Sequence, residues 1–316
     1  MDLVDDRYIE ETADAVLQHS RTKRWKQWTA LAACLCLMLA GCGKLWWDSL
    51  RHDLPGEEEM KLPQSQEEYT GEGLWIPYMV LPEETDGLAM DMAACVVYKG
   101  GIYTQFSDGY YDEDADRVRG LLGEKLGTAR GNLNEWSTQD AYTKEFAGSI
   151  SGTVYEVNGY DPSFRIAVAG KNHVLFLERL NGIAVDTGSD LFDERLHLTE
   201  NWKSLAVLDH ETWYYAEQPL VPEPIELAEQ VWEAFLTEIG EGKFENLWNE
   251  DPDQMKDVSG RTIYDRIAIH LYVTMQDGTV NHLRISEDGY VLYDGLLWYG
   301  VKLREDTLVG LLEACK

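Results

Sequence analysis

Four polar residues near the C-terminal end could act together chemically. His270 and Tyr272 alternate on one predicted strand, RIAIHLYVTM, and His282 and Arg284 alternate on the next, TVNHLRIS. Because side chains two apart on a strand share a face, all four fall on one side of a sheet, opposite its apolar side. Histidine exchanges protons near neutral pH. No acid or nucleophile completes a catalytic set, so we predict a weak polar surface and no catalytic residue.

An acidic run, SDGYYDEDAD at 107–116, could bind calcium. The EF-hand template requires Gly at its sixth position and Glu at its twelfth. Counted from Asp112, those positions hold Arg117 and Gly123, so an EF-hand is excluded. The acids suit the N-terminus of a helix predicted over 114–123. We predict no metal site, with an irregular calcium site as the alternative.

The local signatures of common enzymes are missing from the sequence. There is no HExxH, no GxSxG, no phosphate loop and no GxGxxG between a strand and a helix, and no cofactor is predicted. Paired carboxylates leave no such signature. The sequence therefore favours a binding or sensing module without catalysis, and an exported hydrolase with an acidic site is the alternative.

The charge of the chain is strongly uneven. Residues 1–47 carry six acids and six bases, so the whole net charge of −30 lies beyond them. Such a surface repels phosphate backbones, which are bound through clustered Lys and Arg. Nucleic acid is therefore excluded as a partner.

One apolar segment predicts a membrane anchor. Residues 28–47, WTALAACLCLMLAGCGKLWW, are 20 residues long, and a helix of that length spans about 30 Å, the thickness of a hydrocarbon core. Trp residues flank both ends, as in interfacial aromatic belts. Four bases within residues 21–26 lie directly before the segment, which places residues 1–27 in the cytoplasm and the bulk of the chain outside the cell membrane.

A second interpretation of this segment is a lipoprotein signal. Leu39-Ala40-Gly41-Cys42 resembles a bacterial lipobox, in which Cys42 would be lipidated after cleavage. The long acidic start of the chain and the Trp pair after the segment favour an uncleaved span instead. In both cases the large region is exported and tethered.

The predicted cytoplasmic tail carries one amphipathic stretch. Ile9, Ala13, Val16 and Leu17 fall on one helical face within residues 4–19. Such a face could dock on a cytoplasmic protein partner. The alternative is a short helix that lies on the membrane or is solvated.

Beyond the membrane the sequence predicts an α+β fold in two units. Residues 48–73 are polar and predict a flexible linker, and the prolines of 216–223 predict a second. Residues 74–215 read as a β-rich domain, with a hairpin at Lys99-Gly100-Gly101. Residues 224–316 read as a smaller α+β domain in which Pro224 begins a helix and a second short helix lies near 244–248.

The smaller domain should contain a three-stranded antiparallel meander. Asp-Gly turns at 277–278 and 288–289 separate its strands. Three-residue loops pair Leu271 with Leu283, Ile269 with Ile285, and Ile285 with Val291, which puts the apolar residues on one face. Helices at 225–239 and 306–315 are predicted to cover that face.

Only two cysteines lie beyond the apolar segment, Cys95 and Cys315. A disulfide framework needs more than this. One bridge between them could form outside the cell, and the alternative is that Cys315 ends the apolar face of a helix as a free thiol.

Several strings together resemble a known group of sequences. They are DDRYIEE, AACLCL, GTVYEVNGYDPSFRIAV and VLFLERLNG. In these the chain resembles uncharacterised membrane-anchored exported proteins, lipoprotein-like or anti-sigma-like, of Gram-positive anaerobic bacteria. The resemblance implies the anchored, exported topology and supplies no catalytic residue.

Overall fold

A computed structural model describes residues 69–79, 93–105, 118–171, 173–215, 221–249, 254–296 and 298–315. Within these ranges the fold is α+β with mostly β structure, which confirms the predicted class. No helix in the described ranges has the length and apolar character to cross a bilayer. The predicted tail, span, lipidation candidate Cys42 and acidic run lie outside the described residues.

The described elements follow one another along the chain as follows. The strands are β1 Leu74–Ile76, β2 Cys95–Tyr98, β3 Gly101–Thr104, β4 Leu122–Arg130, β5 Ser151–Val157, β6 Arg165–Ala169, β7 Val174–Glu178, β8 Ile183–Val185, β9 Trp202–Asp209, β10 Glu223–Ile225, β11 Phe244–Asn246, β12 Ile267–Met275, β13 Val280–Ser286, β14 Tyr290–Tyr293 and β15 Tyr299–Lys302. The helices are α1 Gln139–Tyr142, α2 Ser189–Phe192, α3 Leu198–Asn201, α4 His210–Tyr215, α5 Glu229–Glu241 and α6 Glu305–Ala314.

Six strands form an antiparallel sheet, in the order β2-β3-β7-β6-β5-β4, that closes on itself. The residues leading into β5 pair with β2: Phe146 and Ala147 exchange backbone hydrogen bonds of 2.8 Å with Val97, and Gly148 bridges Val96. Residues 146–149, just before β5, therefore lie between β2 and the end of β4, to which they also hydrogen-bond. The result is a small barrel, and its residues with buried side chains include Tyr98, Tyr103, Ile166, Val168 and Leu177.

The predicted hairpin between β2 and β3 is confirmed. Lys99 and Gly100 both have positive φ, 47° and 70°. Two such residues form the tight turn whose twist matches that of antiparallel strands. Glycine meets no steric penalty there, and the Lys99 N–H is held by the Glu145 carboxylate at 3.0 Å.

The predicted meander is confirmed inside a larger sheet. Leu271 pairs with Leu283, Ile269 with Ile285, and Ile285 with Val291, as the apolar match requires. The whole sheet has seven strands in the order β10-β9-β12-β13-β14-β15-β11. Its apolar face is buried, with Leu271, Leu283, Ile285 and Val291 all at 0% exposure.

Two helices cover this apolar face, as the sequence predicts. α5 buries Trp232, Phe235 and Ile239 in the shared core, and α6 buries Leu308 and Leu311. α5 begins at Glu229, four residues later than the predicted start at 225. The helix therefore covers the face as predicted, although the first turn of its predicted range is not helical.

Three local predictions are wrong. Pro224 does not begin a helix but lies in the edge strand β10, where its missing N–H breaks no ladder hydrogen bond within the sheet. Phe244–Asn246 is strand β11 and pairs with β15. Of the helix predicted over 114–123, residues 118 and 119 are helical, but its predicted end is wrong because β4 begins at Leu122.

Strand β9 was not predicted, and it changes how the predicted units relate. It pairs with β12 along Leu271↔Val207 and with β10 along Pro224↔Ala206. Along the chain, the predicted linker at 216–223 thus comes after β9 and leads into β10, and these two strands are neighbours in one sheet. Residues from both predicted domains build that sheet.

The barrel contacts the apolar face of the seven-stranded sheet through a buried ion pair. Arg165 on β6 and Glu178 on β7 lie opposite each other, at 3% and 1% exposure, with Nε to Oε1 at 2.7 Å. The hydroxyl of Tyr293 donates to Glu178 Oε2 at 3.1 Å, and Arg165 lies 4.0 Å from the Tyr160 ring. Burial raises the pKa of Glu178 to about 7, against the opposing effect of Arg165.

Both described cysteines are free thiols. Cys95 is buried in β2, and Cys315 follows α6 with its side chain partly buried against the core. Burial raises the pKa of both thiols, that of Cys315 to about 11. The possible Cys95–Cys315 bridge is wrong, since both thiols are free. Their raised pKa values keep both thiols protonated at neutral pH.

Candidate functional site

The four polar residues predicted to share a face do so, but three of them are buried. His270 and His282 are 0% and 2% exposed, Tyr272 is 8% exposed, and the Arg284 side chain is 12% exposed. The expectation of a polar surface is wrong because it left out a cover. Helix α4 lies over this face of the seven-stranded sheet and seals it.

Helix α4 is turned back onto the sheet by a cap at the end of β9. Asp209 Oδ1 accepts a hydrogen bond from the N–H of Thr212 at 2.8 Å, which satisfies one of the free donors of the first turn. The hydrogen bond from Thr212 lowers the pKa of Asp209. His210 and Trp213 are three residues apart, so both project from the same side of α4.

Aromatic stacking fixes α4 against the strands. The Trp213 ring stacks on His270, with centroids 4.0 Å apart and planes at 16°. Arg284 places its guanidinium carbon 4.9 Å from the Trp213 centroid. Beneath them, Tyr272 stacks on His282 with centroids 4.4 Å apart. The polar groups are thus enclosed between rings.

Three imidazoles form a continuous line toward one carboxylate. His210 Nδ1 lies 2.9 Å from His270 Nε2, and His270 Nδ1 lies 2.9 Å from His282 Nε2. His282 Nδ1 lies 3.6 Å from Asp294 Oδ1, and Arg284 forms an ion pair with the same oxygen. We call His210, His270, His282 and Asp294 the histidine chain.

The carboxylate at one end fixes the tautomer of every ring. Ionised Asp294 only accepts, so the proton of His282 lies on Nδ1 and its Nε2 accepts from His270. The same logic puts the proton of His270 on Nδ1, and then that of His210 on Nδ1. His210 Nε2 therefore carries a lone pair at the half-buried end of the chain.

Burial and charge shift the pKa values of His270, His210 and Asp294. Burial lowers the pKa of His270 far below its usual range, and His282, Arg284 and His210 lower it further. Burial and then Arg284 lower the pKa of His210. Burial would raise the pKa of Asp294, but the Arg284 guanidinium and His282 hold it below its usual range.

Sequence reasoning missed His210, Trp213 and Asp294, although each left a signal. The predicted register, extended by three residues past Ile285 and Val291, places Asp294 opposite His282. The backbone N–H of Asp294 indeed donates to the His282 carbonyl at 3.1 Å. The Asp209-His210-Glu211-Thr212 cap and the spacing of His210 and Trp213 were the signal for α4.

The histidine chain is not arranged around a metal. In the described ranges, no group of three His, Cys, Asp or Glu side chains could hold an ion. The ring nitrogens within the chain point at one another, at hydrogen-bonding distance, and not at a common centre. The alternative calcium loop lies outside the described residues.

Comparison with known proteins identifies no relative. No family model, no curated protein and no solved structure matches this chain. The fold and the site define the class only as an α+β protein of mostly β structure that encloses a line of three histidines. Function is therefore inferred from chemistry alone.

Proposed function

We propose that this chain is a membrane-tethered extracytoplasmic binding or sensing module without catalysis of its own. Residues 28–47 would anchor it, and the acidic region beyond would sit outside the cell. The amphipathic face within residues 4–19 would pass the state of the outer region to a cytoplasmic protein. The bases before the apolar segment and the charge of −30 beyond it support this arrangement.

The observation that carries the proposal is the closed bonding of the histidine chain. Its internal nitrogens are paired with one another, and its single carboxylate is paired with Arg284. A general base needs a free position within hydrogen-bonding reach of a substrate. Of the ring nitrogens in the chain, only His210 Nε2 has no partner within it, at the half-buried end. Such a group is better suited to take up a proton when its surroundings change than to turn over a substrate.

The alternative is an exported hydrolase with two facing carboxylates. Such enzymes place two carboxyl groups about 5 to 9.5 Å apart on either side of the bond that is broken. The histidine chain supplies one carboxylate, Asp294, and its ion pair with Arg284 favours the permanently charged form over an acid–base role. The sensing module is therefore the better supported function.

The topology can be tested by cysteine labelling on intact cells. Met60→Cys should react with a membrane-impermeant maleimide, because residue 60 lies beyond the predicted span. Thr22→Cys, on the other side of the span, is the matched control and should react only after lysis. The native cysteines set the background. If position 60 is protected and position 22 is labelled on intact cells, the orientation is the opposite of the one proposed.

Mass spectrometry of the mature protein distinguishes the two anchors. We predict an uncleaved span because Trp residues flank the segment at both ends. The N-terminus of the mature protein should then be intact. The lipoprotein alternative predicts that the chain begins at a diacylglyceryl-modified Cys42. Cys42→Ala is the control, since in the second case it would block lipidation and cleavage and leave the N-terminus intact, and in the first case it would change nothing.

A further inference from the structure

We propose that the histidine chain is a proton-binding site whose loading releases helix α4 from the sheet when the surroundings become mildly acidic. The inference rests on the proposed sensing function and deepens it, because it names the proton as the ligand. Three features carry it: the hydrogen-bonded line of imidazoles, the paired charges beside it, and the slight attachment of α4.

The line of hydrogen bonds has room for one extra proton and no more. In the neutral chain each Nδ1–H points toward Asp294 and each internal Nε2 accepts. A first proton can bind His210 Nε2 without breaking a bond, since the Nδ1–H of His210 still donates to His270. A second proton on His270 or His282 would set N–H against N–H at 2.9 Å. The chain must then open.

The charges around the chain act on this loading in two directions: Arg284 lowers the pKa of His210, whereas Asp265, Asp209 and Glu287 raise it. The groups that face it are Asp209 and Glu211 next to His210, Arg284 on β13, Asp294 after β14, Asp265 in the Tyr264–Arg266 turn, and Glu287 after β13. Arg284 and Asp294 cancel each other as an ion pair. A first imidazolium at His210 is therefore partly balanced by these acids, whereas a second at His270 lies beside Arg284 and beside the first, and like charges repel. Burial, which lowers the pKa of His270 and His210, acts in the same direction.

Helix α4 is the element that would yield. It has six residues, and Tyr214 and Tyr215 on it are 46% and 71% exposed. Its attachment includes the Asp209 cap, the contacts of His210 and Trp213 with His270, and Arg284 over the Trp213 ring. β12 and β13, by contrast, are interior strands bonded on both sides. Local opening selects segments with few buried contacts, so α4 should detach while the sheet holds.

Hydrogen–deuterium exchange of the full-length chain tests the proposal. After correction for intrinsic rates, amides of 210–215 should exchange at least about tenfold faster at about pH 5 than at about pH 7.5, the range in which histidine takes up protons. The exchange rate of these amides should rise more steeply with falling pH than the titration of a single proton would allow, because opening frees more than one imidazole nitrogen that can bind a proton. Amides of β12 in the same sample should stay protected.

Variants connect the effect to the chain. His210→Asn keeps an N–H donor near the Nδ1 position but cannot take up a proton, so opening should shift to lower pH and exchange at about pH 5 should fall by about tenfold. His173→Asn, a histidine outside the chain, should behave as the wild type. Asp209→Ala removes the cap and should speed exchange of 210–215 at both pH values, which confirms that the peptide reports on α4.

Three results would overturn the proposal. One is unchanged protection of 210–215 down to about pH 5, well below the usual pKa of histidine. Another is equal acceleration in β12, which would mean global unfolding. The third is a His210→Asn variant that opens like the wild type. None of these results depends on the labelling of Met60→Cys. Failure of the proposed release of α4 and failure of the exported topology can therefore be told apart.

Discussion

Arg165→Met should lower the free energy of unfolding by about 3 to 5 kcal/mol at about pH 8, because one partner of a buried ion pair is lost and the other is stranded. Glu178 would keep its burial at 1% exposure and lose the guanidinium that offsets it. Only the hydroxyl of Tyr293 would still donate to it. Denaturant unfolding of the full-length chain measures the loss.

The loss should depend on pH in a definite direction. Burial raises the pKa of Glu178 to about 7 with Arg165 present, so the folded chain retains a proton that the unfolded chain releases near its ordinary pKa. Without Arg165 that folded pKa rises further. The stability of the variant therefore keeps falling above about pH 7, where the wild type levels off, and the gap narrows on acidification.

Two further variants make this test specific. Arg165→Met with Glu178→Leu removes both charges and should recover most of the loss, because an apolar pair carries no stranded charge. Arg304→Met breaks an ion pair with Glu238 in which the Arg304 side chain is 74% exposed, and should cost less than about 1 kcal/mol. Equal losses for Arg165→Met and Arg304→Met would contradict the role of burial.

Leu283→Ala should lower the free energy of unfolding by about 2 to 5 kcal/mol, because it opens a cavity in a closed core. Leu283 is 0% exposed and lies between Leu271 and Tyr293 in the register. Chemical denaturation at neutral pH measures the change. Val309→Ala, on the 47% exposed side of α6, is the control and should stay within about 0.5 kcal/mol. A loss for Leu283→Ala no larger than that of the control would be inconsistent with this core.

The meander was predictable because its signals agree with one another. Two Asp-Gly turns, alternation of apolar residues and the cross-strand match of Leu271 with Leu283 all specify one register. Single signals were less reliable. Pro224 alone predicted a helix start, yet a proline is equally acceptable on an edge strand, and strand order is a property of the whole sheet.

Only the strand residues of the site could be predicted, because only the strands carried several signals that agree with one another. Alternation placed His270 and His282 on one face, but it could not show whether that face meets water. That depended on α4, and α4 reaches the face only because β9 pairs beside β12, which joins residues about sixty positions apart. Long-range pairing of this kind leaves little local trace in a sequence.

The position of β9 in the sheet also determines which fragments of this protein can be produced separately. A fragment that begins at the predicted boundary near 216–223 would leave out β9 and α4. β12 would then become an unprotected edge nine residues long, with Leu271 and Val273 on its apolar face and His270 uncovered on the other. Bare edges of this kind recruit strands from neighbouring chains. Such a truncation would therefore tend to aggregate, whereas a cut placed before β9 would keep the edge closed.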